Sequence, residues 1–326
     1  MPKGSPSVLI IRLDGIGDAL ALTPLLAALR RRDIAVDIVL RAGNASVFAA
    51  RAARRIVTAD FELRSSTRSN LAAIESLGSE LRAHAYTHVL VATEDPGGYR
   101  LAGVVAAPVR IGFADWRGKP LKAIWSRRML TATIHRSAGL DPRAPHESEV
   151  LFALGATLVG DEQPTRNLAE LRPLLLDREP AEEEDSVAVQ VTDKWQRLGI
   201  PLESVVELVR RIAAGGALRL FASANEARYA QEVANATGIG LTTFDAIEPW
   251  KRAIGATSAI VTPDSGALHV AGMLGTPVVA IFPPSRSYEL QVARWAPWAA
   301  PHRVVRAADD WPARADDALM HLLALR

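Results

Sequence analysis

The stretch from Ala259 to Ser285 constrains the fold of this chain more than any other. It begins with a short β-rich apolar run, AIVT, continues as GALHVAGML with helical spacing, and ends in a second apolar run, VVAIF. Pro263 ends the first run because it has no N–H to pair, and Gly275 fits the position that follows a helix. The sequence therefore predicts a strand, a tight turn, a helix and a second strand, which is the repeating unit of an α/β sheet.

The predicted turn leaves the first N–H groups of this helix open to a ligand. Asp264 and Ser265 favour the N-cap position, and Ser265, Gly266 and Ala267 are small enough for an anion to reach the backbone. Amide protons and the positive end of the helix dipole point the same way there, so a phosphate binds favourably. His269 lies four residues after Ser265 and can add a donor. A capped crossover helix with a packed His269 explains the same pattern, so both interpretations stay open at this point.

A second strand–turn–helix pattern lies near the start of the chain, where VLIIRL runs into DGIGD and then ALALTPLLAALRRR. The near-continuous apolar run is typical of a strand in a parallel sheet. Gly15 and Gly17 resemble a dinucleotide-binding turn, but Leu20 replaces the third glycine and the next strand ends in Arg41 rather than an acid, so we do not expect NAD. Asp18 falls in the first helical turn, where interaction with the helix dipole alone would account for it.

Both stretches resemble one protein family. The string TPDSGALHVAGMLGTPVVAIFPP is similar to the donor-site signature of glycosyltransferase family 9, the ADP-heptose:lipopolysaccharide heptosyltransferases. The segment from Arg12 to Asp18 resembles that family's N-terminal R-x-[ST]-x-[LIM]-G-D signature, except that Asp14 stands where the family usually has a small hydroxyl residue. The resemblance implies an α/β GT-B fold, with two Rossmann-like doubly wound domains facing each other across a cleft.

The alternation of strand-like and helix-like segments fits the same architecture. We expect an N-terminal acceptor-binding domain over residues 1–175 and a C-terminal nucleotide-sugar-binding domain over 176–308, with a final helix at 309–326 that packs back on the first domain. Residues 172–186 contain two prolines and an acidic run, which indicates a solvated linker. Residues 146–157 are expected to form one long helix that closes the first domain.

The resemblance assigns roles to residues that match the family's motifs. Asp18 matches the aspartate proposed as the catalytic base, Lys194 belongs to a lysine–tryptophan element, and Glu226 matches a glutamate that holds the donor ribose. The turn before Lys194 reads Val191-Thr192-Asp193 instead of the family's usual His-Pro-Gly-type turn, and this departure bears on the identity of the donor. The candidate donor-binding residues are Lys194, Glu226, Asp264, Ser265, Gly266 and His269.

The positive charge of the chain is concentrated in one segment. The formal net charge is only +2, but seven basic residues and one acid lie between Arg110 and Arg136. Such a patch attracts phosphates, carboxylates or an anionic membrane surface, although a solvated arginine-rich face accounts for it too. By resemblance the acceptor would be the anionic Kdo–heptose region of the lipopolysaccharide core. The candidate acceptor-binding residues are Arg117, Lys119, Lys122, Arg127 and Arg128.

Composition and motifs exclude several other classes. The chain has no cysteine, which removes disulfides, thiolate metal sites and cysteine nucleophiles. No apolar stretch approaches the roughly 20 residues of a membrane span, and no signal peptide is evident. Aromatic residues make up 6% of the chain and no stacking motif accompanies the arginines, so we expect no nucleic-acid partner. His84 and His88 have no nearby acid, and no Asp-x-Asp motif follows a strand, so we expect no metal and no cofactor.

The family resemblance, together with these residues, implies an inverting, metal-independent glycosyltransferase that moves a heptose from ADP-heptose to a lipopolysaccharide core acceptor. Asp18 would take the proton of the acceptor hydroxyl, and helix amides with Lys194 would stabilise the departing diphosphate. We expect a cytoplasmic protein that can contact the inner membrane face peripherally. Two alternatives stay open: a family 9-like transferase with a different nucleotide-sugar or acceptor, and a nucleotide-sugar-binding protein without turnover.

Overall fold

The structure is a computed structural model that describes residues 5–115, 118–136, 144–178 and 184–325. The chain divides into two compact units, Met1–Leu140 with Glu147–Thr165, and Asp141–His146 with Arg166–Arg326. Within the described residues, each unit contains one sheet of six strands, and all pairs in both sheets are parallel. The predicted α/β class with two Rossmann-like sheets is confirmed.

The first unit has the strand order β3-β2-β1-β4-β5-β6. Its strands are β1 (Ser7–Ile11), β2 (Ala35–Arg41), β3 (Arg55–Ala59), β4 (His88–Val91), β5 (Val109–Ala114) and β6 (Ala132–His135). Its helices are α1 (Ile16–Leu20), α2 (Thr23–Arg31), α3 (Arg68–Arg82), α4 (Pro96–Val105), α5 (Pro120–Ser126), α6 (Glu147–Ala153) and α7 (Ala156–Val159).

The second unit has the strand order β12-β11-β10-β7-β8-β9. Its strands are β7 (Glu184–Gln190), β8 (Leu218–Ser223), β9 (Leu241–Phe244), β10 (Thr257–Pro263), β11 (Val278–Phe282) and β12 (His302–Arg306). Its helices are α8 (Leu168–Leu175), α9 (Lys194–Arg197), α10 (Leu202–Gly215), α11 (Ala227–Thr237), α12 (Ile247–Ala256), α13 (Gly266–Leu274), α14 (Tyr288–Trp295) and α15 (Trp311–Leu323).

The central strands explain why the apolar runs of the sequence predict the sheets correctly. In β1 the four residues from Val8 to Ile11 are fully buried, and β10 is buried along its whole length. Strands covered on both faces must be apolar on both faces, which produces continuous rather than alternating hydrophobicity. The predicted unit of strand, helix and strand is confirmed as β10, α13 and β11, and Gly275 follows α13 with φ 81°. A left-handed residue at this position is a role for which glycine has the smallest steric cost.

Three expectations about the connections need correction. The helix expected at 146–157 is divided into α6 and α7, and Gly155 between them passes close to Leu25, where an added Cβ would lie 2.4 Å from the leucine Cδ1. The linker expected at 172–186 is shorter, since α8 continues to Leu175 and β7 begins at Glu184, while residues 179–183 lie outside the described residues. Residues 166–175 also belong to the second unit rather than to the first.

The last helix, which we expected to pack back on the first domain, is part of the apolar core of the second unit. Trp311, Ala315 and Leu319 of α15 are buried in the same apolar cluster as α10 and the central strands. The indole ring of Trp311 stacks on that of Trp195, with ring centroids 5.7 Å apart and planes inclined by 21°. The stacked tryptophans join α15 to the turn that follows β7.

Both sheets reverse their strand order at one point, between β1 and β4 in the first unit and between β7 and β10 in the second. Loops that leave the carboxyl ends of two such strands go to opposite faces of the sheet, and this leaves a crevice in which ligands of α/β folds bind. The fold therefore directs attention to the residues that follow these four strands. No helix within the described ranges is long and apolar enough to cross a membrane.

Candidate functional site

Asp18 lies in α1, directly after the turn that leaves β1. Its Oδ2 accepts a hydrogen bond from the Gly15 backbone N at 3.1 Å, so the carboxylate closes the first turn of the helix it belongs to. The side chain is 35% exposed, so it is both fixed in position and open to a ligand. Asp18 is therefore at the carboxyl end of β1, as a base acting on a bound acceptor requires.

Arg12 is the residue that orients Asp18. Its guanidinium is almost fully buried; the NH2 group donates to Asp18 Oδ1 at 2.9 Å, and Nε donates to the Asp18 backbone O at 3.0 Å. The NH1 group donates to the Ala92 carbonyl and lies 3.5 Å from Asp14 Oδ2. The two neighbouring carboxylates, Asp14 and Asp18, thus share one buried cation.

A chain of ion pairs continues from Arg12 to the ends of the neighbouring strands. The fully buried Glu147 of α6 lies 3.4 Å from Arg12 NH2 through Oε1 and accepts from Arg136 NH2 at 2.8 Å through Oε2. Arg136 Nε in turn lies 3.5 Å from Glu94 Oε1. Arg12, Glu94 and Arg136 follow β1, β4 and β6, so the chain of ion pairs runs along the carboxyl ends of the strands of the first sheet. Sequence reasoning missed Glu94 and Glu147.

Glu94 gathers two of the predicted acceptor-binding lysines. Lys119 Nζ and Lys122 Nζ lie 3.0 and 3.1 Å from its Oε2. Burial by itself raises the pKa of Glu94, but the hydrogen bond from Lys119 and the charges of Lys122 and Arg136 lower it to about 2. Glu94 is therefore ionised across the physiological range, and it holds the two ammonium groups together.

The structure divides the rest of the predicted acceptor-binding set. Arg128 is exposed beyond the end of α5 and lines a different groove, together with Arg82, Arg100 and Arg110. Arg127 is also exposed after α5, and Arg117 lies outside the described residues. Lys119 and Lys122 are thus the members of the set that lie beside the ion-pair chain of Asp18.

In the second unit, the turn between β10 and α13 has the arrangement that the sequence predicts. Ser265 is the N-cap residue of α13, but its side chain does not cap the helix, because its Oγ lies 2.9 Å from Thr262 Oγ1. The side chain at the N-cap thus does not occupy the first amide groups of the helix. Gly266 and the buried Ala267 follow, and neither carries a side chain large enough to cover the amides.

Asp264 connects two further predicted donor-binding residues. Its Oδ2 lies 3.5 Å from Lys194 Nζ, and its Oδ1 lies 3.9 Å from His269 Nε2. Burial lowers the pKa of His269 to about 4, with a smaller opposing effect from Asp264. The imidazole is therefore neutral at pH 7 and packs edge-on against Trp295, with ring centroids 5.6 Å apart.

Glu226 contacts the turn in which this chain departs from the family's usual sequence. Thr192 Oγ1 donates to Glu226 Oε1 at 2.6 Å and accepts from the Lys194 backbone N at 3.2 Å. Burial, followed by the hydrogen bond with Asp193, raises the pKa of Glu226, while the hydrogen bond with Glu226 lowers the pKa of Asp193. The two opposite shifts favour a proton on Glu226 rather than on Asp193. Sequence reasoning singled out Asp193 as unusual but did not predict this pairing.

All six predicted donor-binding residues lie after three adjacent strands of one sheet. Lys194 follows β7, Glu226 follows β8, and the segment from Asp264 to His269 follows β10. Their side chains form two groups, one around Asp264 and one around Glu226, joined through the turn of residues 192–194. The second unit therefore has an anion-accepting helix terminus next to a cation and, beside them, a carboxyl pair suited to hydroxyl groups.

Comparison with known proteins identifies the family to which part of the chain corresponds. Residues 201–320 match the sequence profile of Glycosyltransferase family 9 (heptosyltransferase). This range contains Glu226 and the whole of β10, α13 and β11. A comparison with curated proteins gave no match.

Solved structures share the fold over almost the whole chain. A family 9 glycosyl transferase from Veillonella parvula has a TM-score of 0.77 at 15% identity, covering 100% of this chain and 99% of its own. E. coli ADP-heptose LPS heptosyltransferase II has a TM-score of 0.70 at 20% identity, covering 98% and 99%. E. coli heptosyltransferase WaaC, solved with ADP, has a TM-score of 0.70 at 19% identity and the same coverage.

Similarity at these identities establishes the fold. The resemblance predicted from the motifs is confirmed: residues 201–320 match the profile of glycosyltransferase family 9, and the chain has the fold of solved glycosyltransferases of that family.

Proposed function

We propose that this protein is an inverting, metal-independent glycosyltransferase that moves a heptose from ADP-heptose to an acceptor of the lipopolysaccharide core. The observation that carries the proposal is the placement of Asp18: a partly exposed carboxylate fixed by Arg12 and Gly15 at the carboxyl end of β1. A glycosyl transfer needs a carboxylate of this kind within reach of the acceptor hydroxyl.

Asp18 retains the capacity to take a proton although both of its oxygens already accept hydrogen bonds. Each carboxylate oxygen has two lone pairs, and Arg12 and the Gly15 amide use one on each oxygen. In the proposed step the acceptor oxygen forms a bond to the anomeric carbon as its proton passes to Asp18. The bond between the anomeric carbon and the β-phosphate oxygen breaks, and its electron pair leaves with ADP. One displacement of this kind inverts the configuration of the anomeric carbon.

The second unit supplies the groups that stabilise the departing diphosphate. The amides at the start of α13 and the ammonium of Lys194 attract the developing negative charge, and Asp264 orients Lys194 at 3.5 Å. His269 is neutral, so it can donate one hydrogen bond without adding a charge to the site. These groups do not require a divalent ion, and the absence of a metal and of a cofactor stays a prediction.

The nature of the two substrates is supported by the family and by the basic residues of the first unit. One E. coli protein of similar fold is named an ADP-heptose LPS heptosyltransferase, and another, the heptosyltransferase WaaC, is solved with ADP. Lys119 and Lys122, beside Arg136, form a cationic group suited to an acceptor with carboxylates or phosphates. We infer an anionic glycolipid acceptor, a cytoplasmic location and a peripheral contact with the inner membrane face.

The test combines nucleotide binding with turnover. Thermal-shift measurements with ADP, UDP and GDP should show the largest stabilisation with ADP, and ADP-heptose should support transfer in the presence of EDTA. Asp18→Ala should lower the transfer rate by about 10²- to 10⁴-fold and leave the shift with ADP unchanged, because Asp18 acts on the acceptor. A product with retained anomeric configuration, or an Asp18→Ala variant with full activity, would contradict the mechanism.

One observation favours a second candidate function, transfer from a different nucleotide-sugar. Thr192 and Asp193, which replace the family's usual turn, both contact Glu226 and change the hydrogen-bonding capacity around it. The raised pKa of Glu226 favours its protonated form, which donates as well as accepts, so the hydroxyl or base edge that it prefers can differ from that of a carboxylate. Stabilisation by UDP or GDP over ADP in the same screen would support this candidate. A wild-type protein that binds a nucleotide but gives no turnover would support a binding protein.

A further inference from the structure

Helix α5 of the first unit exposes large apolar side chains among basic ones. Leu121 is 81% exposed and Ile124 is 55% exposed, one helical turn apart, while Ala123 and Ser126 face the interior. Among the described residues, the other large apolar side chains with comparable exposure are Met320 and Leu325, near the end of the chain. A single exposed apolar side chain is ordinary, but Leu121 and Ile124, one helical turn apart, form a small apolar ridge.

Arginines lie directly beside this ridge. The exposed Arg128 follows α5, one turn beyond Ile124. Arg100 of α4 places its guanidinium over the ring of Trp125, with Cζ 5.9 Å from the ring centroid. Because Trp125 lies one turn from Leu121 on α5, Arg100 and the ridge belong to one continuous surface.

The same two arginines line a groove between α3, α4 and the segment after α5. Arg82 and Arg110 also line it, together with the apolar side chains of Ile74, Val104 and Met129. Arg82 donates to the Val104 carbonyl, and Arg110 donates to the Met129 carbonyl at 2.7 Å, so these two arginines brace the groove. The groove is thus lined by both apolar side chains and arginines, and Glu75 is the acid that lines it.

We propose that this surface, defined by Leu121, Ile124, Arg100, Arg128 and the groove beside them, docks the first unit onto an anionic lipid bilayer. Interfacial helices insert apolar side chains between lipid headgroups, and basic side chains at their borders attract anionic phosphates. A weak apolar insertion and a basic patch together give reversible binding where either alone is marginal. The arginines of the groove would bind a lipid headgroup, and its apolar side chains would contact acyl methylenes.

The position of α5 relates this surface to the proposed function. Lys122 lies in the first turn of α5, and both it and Lys119 pair with Glu94, next to the ion-pair chain of Asp18. Arg128 and the groove follow the other end of α5. A bilayer on the ridge would therefore present a lipid-linked acceptor close to these lysines. This functional consequence rests on the proposed glycolipid acceptor, but the docking itself does not.

The direct test measures binding of the full chain to vesicles without any sugar substrate. Wild-type protein should sediment with vesicles that contain about 30 mol% phosphatidylglycerol and at least about tenfold less with pure phosphatidylcholine vesicles, with the difference shrinking as salt is raised. Leu121→Asp combined with Ile124→Asp should lower binding to the anionic vesicles by about tenfold, because a charged side chain cannot enter the headgroup region favourably. Arg100→Gln with Arg128→Gln should lower binding to anionic vesicles and leave the small binding to neutral ones unchanged.

Matched controls lie in the second unit. Met320→Asp changes an apolar side chain of 52% exposure on α15, and Arg303→Gln removes an exposed charge from β12. Both controls should bind like wild type, and equal thermal midpoints for all variants would show that folding is intact. Wild-type protein that fails to bind anionic vesicles, or a Leu121→Asp/Ile124→Asp variant that binds like wild type, would overturn the proposal.

Two further measurements separate this proposal from its alternatives. If size-exclusion chromatography with light scattering shows a wild-type dimer that Leu121→Asp/Ile124→Asp converts to a monomer, the ridge is a protein interface and the proposal is wrong. Transfer to a water-soluble acceptor fragment without vesicles should be equal in wild type and this double variant. Vesicle binding without any transfer would instead contradict the proposed function and leave the docking surface in place.

Discussion

In the first unit, the groups around Asp18 keep their charge over a wide pH range. In the second unit, by contrast, the candidate donor-binding residues include side chains whose pKa is shifted toward the neutral form. Arg12 and Arg136 are cations at any relevant pH, and Glu94, whose pKa is lowered to about 2, stays an anion. In the second unit, burial lowers the pKa of His269 to about 4, and burial together with the hydrogen bond to Asp193 raises the pKa of Glu226. Sheets of the same strand order thus support one site of fixed charge and one of variable charge.

The comparison has a physical explanation in the two proposed tasks. A base that accepts a proton from a hydroxyl has to be ionised and fixed before the reaction, and a surrounding set of permanent ions fixes it. A site that holds a diphosphate can add neutral donors to a cation such as Lys194, because each further charge has to be desolvated when the ligand enters. The acid sensitivity of this protein is therefore expected to originate mainly in its second unit.

The largest expected effect comes from breaking the ion-pair chain of the first unit at Arg12. Arg12→Met should destabilise the first unit by about 3–5 kcal/mol, because Asp18 and the fully buried Glu147 lose a shared cation. Arg32→Met is the matched control, since Arg32 pairs with Glu162 on the surface and its loss should cost less than about 1 kcal/mol. Denaturant unfolding followed by hydrogen exchange of first-unit peptides measures both. Equal losses of stability in the two variants would show that the ion-pair chain of the first unit adds no stability.

The next effect is a loss of stability of the second unit in mild acid. Because burial lowers the pKa of His269 from 6.5 to about 4, the unfolded chain takes up a proton in this interval and the folded one does not. The stability is fully present above pH 6.5 and should fall by up to about 3 kcal/mol as the pH is lowered to 4. His269→Gln should remove this dependence, and the exposed His321→Gln should retain it. A wild-type second unit with constant stability from pH 6.5 to 4 would contradict the assignment.

The smallest effect belongs to Glu94 and falls in a lower pH interval. Its contribution to stability is present above pH 4.5 and is lost as the pH falls toward 2, since its pKa is lowered to about 2 in the folded protein. The side chain is 36% exposed, so solvent screening limits the contribution to about 1 kcal/mol. Glu94→Gln should remove it, whereas Glu80→Gln on the exposed face of α3 should not.

Salt distinguishes the two pH-dependent effects. Ion pairs with partly exposed partners weaken when the ionic strength rises, so the contribution of Glu94 should shrink in about 1 M salt. The contribution of His269 results from burial and should persist under the same conditions. If both contributions respond equally to salt, the contrast between fixed and variable charge in the two units is wrong.

The sequence predicts the interior of both sheets but not their edges. Strand β1 is recognisable because it is a continuous apolar run, and β4, β7 and β10 contain shorter runs of the same kind. Strands β3, β6 and β12 lie at sheet edges, carry residues such as Arg55, Thr133 and Arg303, and were not predicted. An edge strand is open to solvent on one side, so its sequence lacks the apolar signal on which the prediction depends.

The candidate site follows a similar division. The positions of Asp18, Lys194 and the turn after β10 are predictable, because local motifs place each of them directly after a strand. The partners of these residues are not, since Arg12 meets Glu147, and Lys122 meets Glu94, from distant parts of the sequence. A single sequence contains no local pattern for such pairs. Their charges become meaningful only once the sheet order brings the strand ends together.

The stack of Trp195 on Trp311 extends the influence of the last helix to the proposed nucleotide site. Trp195 directly follows Lys194, is fully buried, and donates from its indole Nε1 to the Gln190 carbonyl at 3.0 Å. Its ring therefore packs between the end of β7 and the beginning of α15. If the packing of α15 against the sheet changed, the Trp195 indole would tilt, and the ammonium of the adjacent Lys194 would move with it. Substitutions far along the chain can therefore alter nucleotide affinity without touching any residue that meets the ligand.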